Sequence, residues 1–157
     1  MPLLPSDLPK RPADVIGVLS RLALAALFVS GGRHVWRHPD GPAEASRDFL
    51  HTCRRVVPPL GRVTDRQLVR ANAAVHIAAG AGLAVGRAPA LCATALAASL
   101  APTTVAAFPF WKQPAGPQRA KLQGEFLKNT AVAGGLVALA LGSRTLTSHL
   151  ADGEPHR

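Results

Sequence analysis

Long uncharged stretches alternate along this chain with Arg-rich connectors. Residues 1–12 form a proline-punctuated polar leader that ends near Lys10 and Arg11. Val15 to Gly32 is apolar except for Arg21, and a polar connector then runs from Arg33 to Arg70. Ala71 to Gly86 is uncharged and carries His76. Beyond the turn-like Arg87-Ala88-Pro89, no charge appears until after Trp111. A charged connector from Lys112 to Lys128 leads into the uncharged Asn129 to Ser143, and residues 144–157 read as a disordered polar tail.

A bilayer core about 30 Å thick needs roughly 20 apolar residues as a helix. The run ending at Trp111 meets that length unaided. The other three meet it when Arg21, Leu68 to Arg70 and Phe126 to Lys128 lie near the interface, where long basic side chains snorkel. The pattern predicts an all-α fold: a four-helix transmembrane bundle across residues 13–143. A soluble four-helix bundle is the alternative, and its helices would carry a polar face at 3.6-residue spacing. Ala90 to Ala101 shows none. A secretory signal peptide is the alternative for the first span. Arg21 interrupts its apolar centre and no small-x-small cleavage site follows, so the span reads as retained.

Composition sharpens this picture only slightly. The chain holds 18 Lys and Arg against 9 Asp and Glu, a net charge of +9 that suggests nucleic acid or anionic lipid as a partner. No base-reading motif accompanies the charge, so nucleic acid is not expected. Within the first connector Ala45, Phe49, Cys53, Val56 and Val57 recur at helical spacing before Pro58-Pro59. They predict a short interfacial amphipathic helix, or a helix packed on the bundle mouth. Small-residue ridges at Ala74, Ala78, Gly82 and Gly86, and at Gly134, Ala138 and Gly142, fit close helix packing in lipid.

Four antiparallel spans place both long connectors on one side, together with Trp36, Phe108, Phe110, Trp111 and Phe126 as an aromatic belt. Most Lys and Arg lie there too, which assigns that side to the cytoplasm, whereas Lys10 and Arg11 argue for the reverse. Several polar residues are candidates for function. Pro102 removes a helix hydrogen bond and frees the Ala98 carbonyl. Thr103 and Thr104 follow it and either re-satisfy the backbone or contact a ligand. Lys128 and Asn129 open the fourth span. Trp111 caps a pocket or anchors the helix. These five positions, Thr103, Thr104, Trp111, Lys128 and Asn129, define an expected pocket between the third and fourth spans. Arg21 and His76 are the intramembrane polar candidates, with His76 bonding a neighbouring helix or a quinone carbonyl. His34, His38 and His51 show no metal-ligand spacing, so no metal is expected. Cys53 and Cys92 fall on opposite sides and no disulfide is expected.

Several short motifs resemble the actinobacterial branch of the DoxX family. They are Pro102-Thr103-Thr104, Phe110-Trp111, Phe126-Leu127-Lys128-Asn129 and Gly134-Gly135, with Arg21-Leu22-Ala23-Leu24, Gly31-Gly32 and the Gly80 to Arg87 segment. The likeness spans about residues 15 to 142. Ala107 and Phe108 stand where that branch often has a Gly-His pair. The resemblance implies a small multi-pass protein of the bacterial inner membrane. Some relatives form a thiosulfate:quinone oxidoreductase, and others join superoxide dismutase and a sulfurtransferase in a redox-stress complex. It therefore implies an accessory component of a membrane redox or sulfur-stress system. A quinone-linked oxidoreductase subunit is one alternative, and small-solute transport, suggested by Pro102, is another. No cofactor is predicted, quinone being the one that the resemblance leaves open, and the expected partners are the lipid bilayer and redox or sulfurtransferase proteins.

Overall fold

A computed structural model describes residues 12–151, and the side chains of residues 15–142. The described residues are helical, with no strand among them. Helix α1 spans Pro12–Arg37, α2 Asp40–Ala45, α3 Arg47–Val56, α4 Asp65–Val85, α5 Pro89–Ala107 and α6 Pro117–Ala151. Three segments, Val15–Arg37, Asp65–Val85 and Pro89–Lys112, are long and apolar enough to cross a membrane. The first two extend past the uncharged runs because Arg33, Arg37, Asp65, Arg66 and Arg70 lie in their end turns.

Helix α6 differs from these three. It begins at Pro117, so it absorbs most of the charged connector, and Lys121, Glu125 and Lys128 lie in its first turns. Its uncharged part, Asn129 to Ser143, is shorter than the ~20 residues a bilayer demands. The helix continues through Ala151. Of the leader expected at residues 1–12, Pro12 begins α1, while residues 1–11 and 152–157 lie outside the described residues.

Local signals explain the ends of α4. Thr64 accepts a hydrogen bond from the Gln67 amide while the Gln67 side chain accepts from the Thr64 amide, a reciprocal capping box. At the other end Gly86 adopts φ 73°, and the Arg87 amide returns to the Gly82 carbonyl at 3.0 Å. The left-handed conformation there suits glycine, which has no Cβ to clash.

Packing runs in the order α1, α4, α5, α6. One core joins them: Phe28 from α1, Leu83 from α4, Ala93, Leu96 and Leu100 from α5, and Leu136 and Ala140 from α6. Helices α1 and α4 approach each other closely. A Cβ on Gly32 would stand 2.9 Å from the Ala73 carbonyl oxygen, and one on Gly80 3.0 Å from Val29. Of the expected small-residue ridges, the one on α4 meets a neighbour at Gly82, where a Cβ would stand 2.7 Å from Cys92 Sγ of α5, while Gly86 serves the helix end; on α6 Gly134 and Gly142 have no neighbour within 4 Å. A small residue favours close packing only where another helix faces it, and these glycines on α6 are exposed.

Two adjacent glycines therefore differ sharply. Gly32→Ala should destabilise the protein by about 1–3 kcal/mol, because the backbone of α4 has to retreat. Gly31→Ala, in open space, should be neutral or add up to about 1 kcal/mol through helix propensity. Thermal unfolding of the detergent-solubilised protein checks both, and equal behaviour of the pair contradicts the close contact.

Candidate functional site

Helix α5 is apolar all round, yet three of its hydroxyls hold its neighbours. Asn72 of α4 donates from Nδ2 to Thr103 Oγ1 at 3.1 Å, and Ser99 Oγ donates to Asn72 Oδ1 at 2.5 Å. On the other side Asn129 of α6 donates from Nδ2 to Thr104 Oγ1 at 3.1 Å, and Thr104 is buried. Thr103 and Thr104 also donate to the Ser99 and Leu100 carbonyls, each at 2.8 Å. Neither reaches the Ala98 carbonyl that Pro102 frees. Helix α5 nevertheless runs unbroken through Pro102 to Ala107.

Adjacent residues on an α-helix point about 100° apart, since a turn holds 3.6 residues. Thr103 and Thr104 therefore serve different neighbours, and the structure does not bring them into one pocket. Lys128 is not drawn in either. Its side chain is 67% exposed and pairs with Glu125 one turn earlier at 2.6 Å. Trp111 stacks edge-on with Phe110 and Phe126, ring centroids 5.2 and 6.0 Å away, and ties the α5–α6 connection to α6. Arg21 is half-buried on α1, about 20 Å along the helix axis from Val35 at the end where the other candidates gather.

The cavity lies on the opposite side of α5 from the one expected. A space of about 280 Å³ opens between α4 and α5, bounded by α2 and α3 and by Val35 of α1. Its wall is mostly apolar, with Phe49, Leu68, Pro102 and Ala106 among its members. Four polar residues interrupt it: Ser46, Asn72, His76 and Thr103. The Asn72 amide and the Thr103 hydroxyl are already bonded to each other. His76 is different. Its Nε2 is buried and has no hydrogen-bond partner among the described residues. The ring meets Phe28 edge-on at 5.1 Å. A buried ring nitrogen left unpaired costs free energy that a ligand's hydroxyl or carbonyl would recover.

The connector helices close one side of this space. Their hold is polar as well as apolar. Arg54 Nη2 lies 2.5 Å from Asp65 Oδ1 and donates to the Val63 carbonyl at 2.8 Å; both side chains of the ion pair are about three-quarters buried, 23% and 26% exposed. Asp40 pairs with Arg66, and Asp48 with Lys112, in more exposed positions. No group of three metal-ligating side chains occurs among the described residues, and Cys53 and Cys92 are free.

Asn72, Ser99 and Ser46 escaped the sequence reading. A usable signal was present: Asn72 and His76 are four apart on one helix, as are Ser99 and Thr103, so each pair shares a face. No protein-family model, curated protein or solved structure matches the chain.

Asn72→Leu removes the link between α4 and α5 and should cost about 1 kcal/mol, the scale of interhelical polar contacts in membranes. Arg54→Met should cost about 2 kcal/mol, because a mostly buried charged donor is lost and Asp65 is left without it. Arg55→Met, exposed and unpaired, is the matched control. Thermal melts in detergent rank the three; equal losses for Arg54→Met and Arg55→Met contradict the anchoring role of Arg54.

Proposed function

We propose that this chain is a DoxX-like multi-pass protein of the bacterial plasma membrane, with α6 completing a four-span bundle. In this reading it is an accessory component of a membrane redox or sulfur-stress system that holds the head group of a quinone. The observation that carries the proposal is the cavity with His76 in its lining, whose Nε2 is buried and unpaired among the described residues. At about 280 Å³ it falls just below the usual range for whole drug-sized ligands. That size suits a ring-shaped head group whose apolar tail lies outside, along the lipid-facing helices.

The donors present match the two states of such a carrier. An imidazole nitrogen donates to a quinone carbonyl in one tautomer and accepts from a quinol hydroxyl in the other. Ser46 offers a second hydroxyl on the same wall. The apolar side chains of Phe49 and Leu68 exclude water and strengthen both contacts. This chain's residues bind and orient the carrier, and a redox or sulfurtransferase partner supplies electrons. The second reading, a quinone-linked oxidoreductase subunit in its own right, rests on the same cavity.

Calorimetric titration of the solubilised protein with a short-tailed quinone analogue should show binding. His76→Leu should weaken it about tenfold, the worth of one hydrogen bond of roughly 1.4 kcal/mol, while His76→Gln retains much of it. Thr104→Val, turned toward α6, should leave binding unchanged. Full affinity in His76→Leu refutes the site. Turnover of the analogue with thiosulfate by the purified chain would favour the oxidoreductase over the accessory role. Carbonate extraction checks the premise, since release into the soluble fraction refutes membrane integration.

A further inference from the structure

One end of α1 carries a feature that the quinone site leaves unused. Around Arg33 and Arg37 lies a shallow, open depression of about 400 Å³ on one face of α1, lined by that helix and by His38 just beyond it. His34, His38 and Ser30 share its polar lining, and Ala26 and Val29 line it toward the middle of the span. No carboxylate lines it. Arg33 and Arg37 form no ion pair among the described residues, whereas Arg47, Arg54, Arg66, Lys112 and Lys128 each pair with a carboxylate. The His34 and His38 rings lie 5.2 Å apart, and four nitrogen-bearing side chains line the feature along two turns of the helix.

We propose that this depression is a binding site for the phosphate head group of an anionic phospholipid. The inference rests on the membrane reading but not on the quinone site. Two guanidinium groups four residues apart present forked donors to phosphate oxygens, the geometry in which arginine exceeds lysine. The imidazoles add further ring nitrogens as hydrogen-bond partners. Position supplies the rest. Arg37 ends the span-length segment Val15–Arg37, so the cations sit where head groups lie. Ala26 and Val29 continue the depression into the apolar stretch, where an acyl chain would follow. A free anion has no use for that apolar extension, and a basic pocket at a span's end with apolar continuation is the form that lipid recognition takes. Compensation of the α1 C-terminal dipole draws basic residues to this turn in any case, but it requires neither the depression nor the absence of acidic neighbours.

The test is native mass spectrometry of the full-length protein in detergent, titrated separately with phosphatidylglycerol and phosphatidylcholine. Phosphatidylglycerol should bind preferentially, and Arg33→Gln with Arg37→Gln should weaken it about tenfold without changing the weak phosphatidylcholine signal. A control carrying Arg62→Gln and Arg119→Gln removes the same charge from exposed, unpaired positions and should keep the preference. Equal losses in the two double variants would show diffuse surface attraction and overturn the site. Equal binding of the two lipids by the unaltered protein overturns it too. Displacement by millimolar inorganic phosphate would mean that a soluble anion, not a lipid, occupies the depression. Release of the chain from membranes by carbonate overturns the membrane reading itself, an outcome separable from all of these.

Discussion

Two adjacent threonines in α5 tie the helix to two different neighbours. Thr103 receives the Asn72 amide of α4, and Thr104 receives the Asn129 amide of α6. An apolar helix in lipid gains nothing from hiding its surface, since the tails around it are as apolar as its neighbours. Association then depends on close packing and on the few polar groups that find partners. Helix α5 has no polar stripe to orient it, so these two amide–hydroxyl contacts fix its rotation against both neighbours at once.

The cavity follows from that rotation. With Thr103 turned to Asn72, the Pro102 and Ala106 side of α5 faces α2 and α3 rather than α6. At the same end of α4, the Gly32 contact presses α1 close to Ala73 and brings Phe28 against His76. His76 is thereby held in place by an aromatic edge and not by a hydrogen bond. A mostly apolar wall and one unsatisfied nitrogen are the combination on which the quinone reading relies. Tight packing on the α1 side and open space on the α3 side are two outcomes of one helix arrangement.

The connector adds a cover whose strength is unevenly distributed. Exposed ion pairs such as Asp40 with Arg66 and Asp48 with Lys112 contribute little individually, because water and salt screen them. Arg54 is the exception, since it reaches Asp65 and two backbone carbonyls, those of Leu60 and Val63, from a mostly buried position. It ties α3 to the start of α4, where the Thr64–Gln67 capping box already fixes the backbone. The unpaired Arg33 and Arg37 stand outside this web, which leaves their charge available to a ligand.

The sequence by itself determined that the chain is helical and that three of its four expected spans are long apolar helices, together with the amphipathic connector near Phe49 and Cys53. Each of these is a local property, set by the spacing of charge and by caps such as Thr64 and Gly86. It also singled out Thr103, Thr104, Asn129 and His76 as unusual, because polar side chains in apolar runs are visible without coordinates. Tertiary structure alone decided which of them meet. Thr103 and Thr104 parted company, Lys128 turned outward to Glu125, and Asn72 entered as the partner of Ser99 and Thr103. Gly32 became a contact while Gly134 and Gly142 did not. The reason is rotational: one residue moves a side chain by about 100° around its helix. Which neighbour lies at that angle depends on every other helix in the packing.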